Sequence, residues 1–419
     1  MRDPGDGICD AIRATLVPPM KSRPFRHLVA ACLAAWSAAT PAAGEPPEAA
    51  QNAEFYIRLG NTFIDGGQYE QALSMYTRAV ALSPEIELRE SIARAHVGLA
   101  ALLLRNGDPR GAAEQYEKAR ALDPKLQISG RLAEAHRLHA ERALRNGDAP
   151  GALAAAEKAL AIDPDDARAR LVKGDAMLGK GDLEGALAQF QELLRIAPDN
   201  LDAAMKAGLL NEKLGRNRAA VRIYSGILER NPSYIPAYLA LGELQERLGN
   251  LAAAAEVYRR GIEKAPADVS LRVNLAWVRI EAKEYLAAYR ECRAALDLDP
   301  ENAAAYNYLG LVFMHIQRYQ EALEAFGTAL SKDPGYRAAR MNLAFLHGVM
   351  GNSEEAVREY KGLIDKDPQN AEAHFNLGIN YKKQGRFVLA AYHLQRAAEL
   401  YGTDTPLGRR ALGHIEEKK

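Results

Sequence analysis

Proline recurs along this chain on a fixed beat. It stands at Pro84, Pro124, Pro164, Pro198, Pro232, Pro266, Pro300, Pro334 and Pro368, twice 40 residues apart and then 34 apart six times over. Each closes an apolar-periodic stretch, as in ALDP, AIDP, RIAP and SKDP. Proline cannot continue a helix and turns the residue before it away from helical angles. A chain punctuated in this way is confined to short helical segments joined at regular corners. Self-similarity at such a period marks a repeat architecture, in which each unit buries its apolar face only against its neighbours.

With the closing proline set at position 32, ten units align. Position 20 is Ala in all ten, from Ala72 to Ala390, and position 8 is always Gly or Ala. Position 15 is Gly in eight, and position 24 is aromatic in seven. Glycine at 15 supplies the left-handed residue that ends a helix and opens a tight turn. Small residues at 8 and 20 let two antiparallel helices approach. An aromatic ring at 24 is expected to fill the gap between neighbouring pairs. Good helix formers abound, and alternating runs of Val, Ile and Thr are absent, so almost no strand is expected.

Tyr306, Leu309, Gly310, Phe313, Ala322, Phe326, Ala329 and Pro334 make the clearest copy of the pattern. In these residues the chain resembles the tetratricopeptide repeat family. The resemblance implies an all-α fold, a right-handed α-solenoid of ten helix-turn-helix repeats with a C-terminal capping helix. The repeats are expected at 51–84, 85–124, 125–164, 165–198, 199–232, 233–266, 267–300, 301–334, 335–368 and 369–402. The remainder, 403–419, reads as a capping helix and tail. There Thr405 can cap, Pro406 suits the first helical position, and Leu407, Ala411 and Ile415 would share a face.

Three departures carry expectations. The additions in repeats two and three (85–90 and 125–130) should lengthen their first helices. His139 and Lys173 stand at position 7, usually Leu, so packing should be softer around 133–180. Cys292 takes the aromatic position 24 of repeat seven and reads as a buried structural thiol.

The first fifty residues follow another logic. Lys21, Arg23 and Arg26 precede a short apolar run, Leu28 to Ala39, and small residues around Ala43 and Gly44. This resembles a bacterial secretory signal peptide over 20–44, with a linker over 45–50. Residues 1–19 then read as a mis-assigned start or a leader. Export to the periplasm follows from that reading, and a cytoplasmic location from the alternative of an Ala-rich leader. The apolar run is too short to span a bilayer, so no membrane insertion is expected.

Lys and Arg total 54, as do Asp and Glu, and this balance argues against a general affinity for nucleic acid. No phosphate loop, H-E-x-x-H or G-x-S-x-G appears. No cofactor, no metal and no catalytic residue is therefore expected, and the chain does not read as an enzyme. His96, His136 and His139 leave open a metal site, or simply fill the large position 4 and its neighbourhood.

Positions 2, 6, 9 and 13 of the first helix share one side. The resemblance implies that this side lines the concave ligand groove. In the last four repeats it turns apolar and aromatic. Asn274, Trp277, Tyr308, Leu311, Asn342, Phe345, Asn376, Ile379 and Lys383 form the candidate partner-binding groove. Asparagine amides there could both donate to and accept from a peptide backbone. Position 9 residues could equally be core if they contact the next repeat. Arg105, Arg145, Lys213 and Arg247 form a secondary basic set at position 13, with solvation as the plainer reading.

Taken together, the sequence points to a non-catalytic interaction scaffold or adaptor of the cell envelope, with a protein or peptide partner. Two alternatives remain. One is an accessory subunit presenting substrate to an envelope polysaccharide, secretion or glycosyltransferase machine. The other is a metal-dependent repeat protein using the three histidines.

Overall fold

The computed structural model describes residues 48–416, which hold 21 helices and no strand. The segments read as start and signal peptide, and the first half of the linker, lie outside the described residues. The chain divides into two compact units after His139. The first holds α1 (Glu48–Asp65), α2 (Tyr69–Leu82), α3 (Arg89–Arg105), α4 (Pro109–Leu122) and the start of α5 (Ser129–Arg145). The second continues through α6 (Ala149–Ile162), α7 (Ala167–Gly179), α8 (Leu183–Ile196), α9 (Leu201–Lys213), α10 (Asn217–Arg230), α11 (Ile235–Arg247) and α12 (Leu251–Lys264). It ends with α13 (Val269–Glu281), α14 (Tyr285–Leu298), α15 (Ala303–His315), α16 (Tyr319–Lys332), α17 (Arg337–Met350), α18 (Ser353–Lys366), α19 (Ala371–Lys383), α20 (Phe387–Tyr401) and α21 (Pro406–Glu416). From α7 on, each helix packs on the one before it, the arrangement of a helical-repeat solenoid.

Helix α1 begins at Glu48, inside the stretch read as a linker. Glu-Ala-Ala directly after Pro46 and Pro47 favours a helical start there. Helices α3 and α5 are 17 residues long against 13 for α7, so the additions do lengthen them.

All eight glycines at position 15 have φ between 70° and 84°. The two repeats without that glycine make the same turn through Lys283 (φ 61°) and Gln317 (φ 62°). In both, the next amide reaches back to the helix, Glu284 N to Arg279 O and Arg318 N to Phe313 O, each at 2.8 Å.

Position 20 alanines are wholly buried in nine repeats, and Ala390 is 3% exposed. The ring at 24 lies over position 8 of its own repeat. A Cβ on Gly174 would sit 2.5 Å from the Phe190 ring, and one on Gly310 would sit 2.6 Å from Phe326. The ring also shares a core with the next repeat, as Tyr258 does with Leu271 and Leu275, so it fills the gap between pairs as well as the space within its own. Where position 8 is glycine the ring takes the space a Cβ would need, whereas Tyr116 and Tyr360 stand opposite Ala100 and Ala344. Where position 8 is Ala276, position 24 is the small, fully buried Cys292.

The proline corners are tied by position 4 of the following helix. Arg272 donates to the Pro266 carbonyl at 2.9 Å, Tyr238 to that of Pro232 at 3.1 Å, and Arg340 to that of Pro334 at 3.4 Å. Arg340 also pairs with Glu359 at 2.7 Å. These carbonyls lie just past the helix C-caps, outside any helical ladder, and a side chain supplies their partner.

At the C-terminus Thr405 Oγ1 accepts from Gly408 N at 3.0 Å, as a cap should. The buried face differs from the expected one. Leu407 is 50% exposed, whereas Gly408 and Ala411 are buried and Leu412 packs beside Ala397 and Ala398. A Cβ on Gly408 would fall 2.2 Å from the Gly402 carbonyl oxygen, so only glycine fits at this buried point.

Candidate functional site

The groove candidates sit on α13, α15, α17 and α19. Trp277 on α13 stacks on Tyr308 of α15, with centroids 5.5 Å apart and planes 29° from parallel. Both are half-buried: Trp277 packs on the cluster around Tyr238 and Leu275, Tyr308 on that around Val273 and Leu309. Leu311 and Ile379 are half-buried too. Phe345 and Val349, one turn apart on α17, are each 46% exposed. Position 9 thus serves both roles the sequence left open, core beneath and surface above.

The asparagines are partly engaged within the protein. Asn342 Nδ2 donates to Asn307 Oδ1 at 2.9 Å, and Asn307 is buried and also bonded to Tyr336. Asn274 hydrogen-bonds Tyr258. The Asn376 backbone carbonyl accepts from Asn380 at 2.8 Å. Lys383 Nζ donates to the Gly348 carbonyl at 3.3 Å. Asn307 and Asn380 lie off the stripe, and sequence reasoning missed them. Their amides were the only available signal.

Sequence reasoning also missed Glu243 and Glu246 beside Trp277. Tyr258 Oη donates to Glu246 Oε1 at 2.5 Å, and the Trp277 indole lies beside the same carboxyl. Burial pushes the Glu246 carboxyl above the usual range. The Tyr258 bond opposes this, and the charges of Glu243 and Glu281 add to it. Burial holds the Tyr308 hydroxyl up to about 12 and the Cys292 thiol likewise up to about 12, which keeps that thiol protonated and unreactive.

The histidines do not form a metal centre. His96 Nδ1 lies 2.7 Å from Gln115 Oε1, and His136 Nε2 lies 3.2 Å from Glu117 Oε1. Both partners belong to α4, which His96 approaches from α3 and His136 from α5. Among the described residues no group of three His, Cys, Asp or Glu is placed to hold a metal. That corrects the metal-site alternative for His96, His136 and His139. Of the basic set, Arg247 is ion-paired with Glu212, while Arg105, Arg145 and Lys213 stand exposed.

Stacked helical pairs with an apolar stripe along their first helices define a repeat scaffold, a class consistent with protein–protein interaction. Tetratricopeptide repeat models match residues 50–125, 137–200, 205–269, 273–337, 314–374 and 371–404. The chain belongs to the tetratricopeptide repeat family. No curated protein matches it. Among solved structures it is similar to a tetratricopeptide repeat protein from Parabacteroides merdae, at 17% identity over 60% of this chain and 99% of that one, with a TM-score of 0.52. It is also similar to the APC/C hetero-tetramer Cut9–Hcn1, at 14% identity over 87% and 76% of the two chains, TM-score 0.48. A third is YrrB, described as having an unusual peptide-binding site, at 20% identity over 45% and 97%, TM-score 0.35. At these identities the likeness is one of fold. No described helix is long and apolar enough to cross a membrane.

Proposed function

We propose that this protein is a non-catalytic scaffold or adaptor of the bacterial cell envelope. It holds an extended or helical segment of a partner protein along the first-helix face of repeats seven to ten. The observation that carries this reading is the Trp277–Tyr308 stack, continued by the exposed Phe345 and Val349 on α17. Rigid aromatic anchors beside polar orienting groups are what a peptide groove needs. Asn274, Asn342, Asn376 and Lys383 supply the polar groups, and Leu311 and Ile379 the floor. The leader-like residues 20–44 support a periplasmic location, which cell fractionation and N-terminal sequencing of the mature protein would test.

Trp277 is the only tryptophan beyond the leader, so its fluorescence reports on the site. A partner captured from envelope extract should shift that emission. Trp277→Ala combined with Phe345→Ala should weaken binding by at least about tenfold with an unchanged circular dichroism spectrum. Phe345 is preferred to Asn342 because Asn342→Ala would strip buried Asn307 of its bond. Unchanged affinity in the double variant would remove this face from consideration.

A further inference from the structure

First helices of successive repeats lie side by side, so position 12 of one repeat meets position 13 of the next, 35 residues on. Where the chain fills that rung with opposite charges it closes: Glu212 is ion-paired with Arg247. At the last such rung Lys383 reaches the Gly348 carbonyl. The rung directly after Glu212–Arg247 is Glu246–Glu281, with a carboxylate on each side, and Glu243 adds a third one turn before Glu246. None of the three carboxylates has a basic partner among the described residues. Arg247 is paired with Glu212 and Arg279 with Glu284.

The same place is where the aromatic face begins. The Trp277 indole lies beside Glu246, and Tyr308, stacked on Trp277, feels the Glu246 charge. Stacked rings and uncompensated carboxylates therefore share one surface. A negatively charged site, with Glu246 half-buried and Glu243 and Glu281 exposed, bordered by aromatic faces selects a cation with an apolar stem.

We infer that the Glu246–Glu281 rung seats an arginine or lysine side chain of the partner segment, its charge among Glu243, Glu246 and Glu281 and its stem along the Trp277–Tyr308 stack. This rests on the reading of repeats seven to ten as the partner groove. The bound side chain completes the rung as Arg247 completes the one before it. Arginine is the better occupant, because its planar fork can bond two carboxylates and stack on a ring together.

The test is selection of a random dodecapeptide library, displayed on phage, against the full chain. Enriched sequences should carry an Arg or Lys flanked by apolar residues. Synthetic copies should shift Trp277 fluorescence and lose affinity as salt rises. Glu246→Gln with Glu281→Gln keeps the acceptor for Tyr258 and should weaken these peptides at least about tenfold. Glu281→Arg rebuilds the Glu212–Arg247 pairing within the chain and should abolish their binding while raising the melting temperature. Neutral or acidic peptides that still shift Trp277 would overturn the cation seat and leave the groove standing. Recovery of no peptide would overturn both. A concentration-dependent dimer that buries Trp277 would overturn it in favour of a second copy of this chain.

Discussion

Gly208 lies so close to Tyr224 that a Cβ on residue 208 would fall 2.3 Å from the ring's Cε1. The ring is 1% exposed and its hydroxyl donates to Glu212 at 2.5 Å, so it has nowhere to retreat. Gly208→Ala should therefore overpack the repeat and lower stability by about 1–3 kcal/mol. Gly327 on α16 is the contrast: it is exposed, helical, and has nothing within 4 Å of its absent Cβ. Gly327→Ala should raise stability by about 0.5–1 kcal/mol. Urea midpoints of the two variants should move in opposite directions.

Lys283 and Gln317 hold left-handed backbone that eight other repeats assign to glycine. An L side chain in that region costs about 1–2 kcal/mol. Lys283→Gly and Gln317→Gly should each raise the melting temperature, with a gain of about 1 kcal/mol apiece once the entropy of glycine in the unfolded chain is set against the relief. Thermal unfolding followed by circular dichroism measures it. A fall in melting temperature would mean that these side chains hold the turn by contacts worth more than the strain.

The turns at Gly67 or Gly249 were legible because glycine advertises its backbone angle. Those at Lys283 and Gln317 were legible only through the period, since neither side chain favours the conformation. The repeat frame could be read in one dimension because each unit repeats its local contacts. Partner choice could not. That Tyr224 lies on Gly208, that Arg272 holds the Pro266 carbonyl, and that Asn342 turns to Asn307 all depend on side-chain directions across helices. In the candidate groove, sequence placed Trp277 and Tyr308 on one stripe but not in a stack. It passed over Glu246, and gave Glu281 no role beyond its place on the stripe, because each looks like an ordinary surface acid until the 35-residue rung sets them face to face.

His374 Nδ1 and His393 Nδ1 lie 2.9 Å apart, with the Tyr381 ring stacked on His393. Burial pushes both imidazoles down. The bond to the Pro368 backbone opposes this at His374, while the His374 charge adds to it at His393, which falls to about 4. Lys361 and Arg396 stand near as like charges. A histidine whose folded pKa lies below its usual 6.5 contributes stability that is complete above 6.5 and is lost as pH falls through the folded value. The last repeat should therefore loosen between about pH 6.5 and 4, seen as faster amide exchange in α19 and α20 at pH 5 than at pH 7 after correction for intrinsic rates. In repeat two the same two positions hold His96 and Gln115 at 2.7 Å. His393→Gln should copy that pair and weaken the acid dependence while leaving neutral-pH stability within about 1 kcal/mol.

Position 7 is a buried leucine in most of the second unit, with Leu241, Leu275, Leu309 and Leu377 all under 8% exposed. Repeat four has Lys173 there instead, its ammonium turned out to Glu157 at 3.3 Å. The adjoining core is built almost wholly of alanine, with Ala140, Ala143, Ala152, Ala155, Ala156 and Ala176 around a single buried valine, Val172. Alanines bury little apolar area, so local opening should cost less here than around Tyr224 or Tyr258. Amide exchange in α6 and α7 should be faster than in α11 and α12. Lys173→Leu gives up an ion pair whose carboxylate is exposed, worth about 1 kcal/mol, and gains about 1.5–3 kcal/mol of apolar burial. It should slow exchange in α6 and α7 by about tenfold or more and leave α11 unaffected. Equal protection of the two regions in the unmodified chain would show that close approach of alanine-faced helices compensates for the missing side chains.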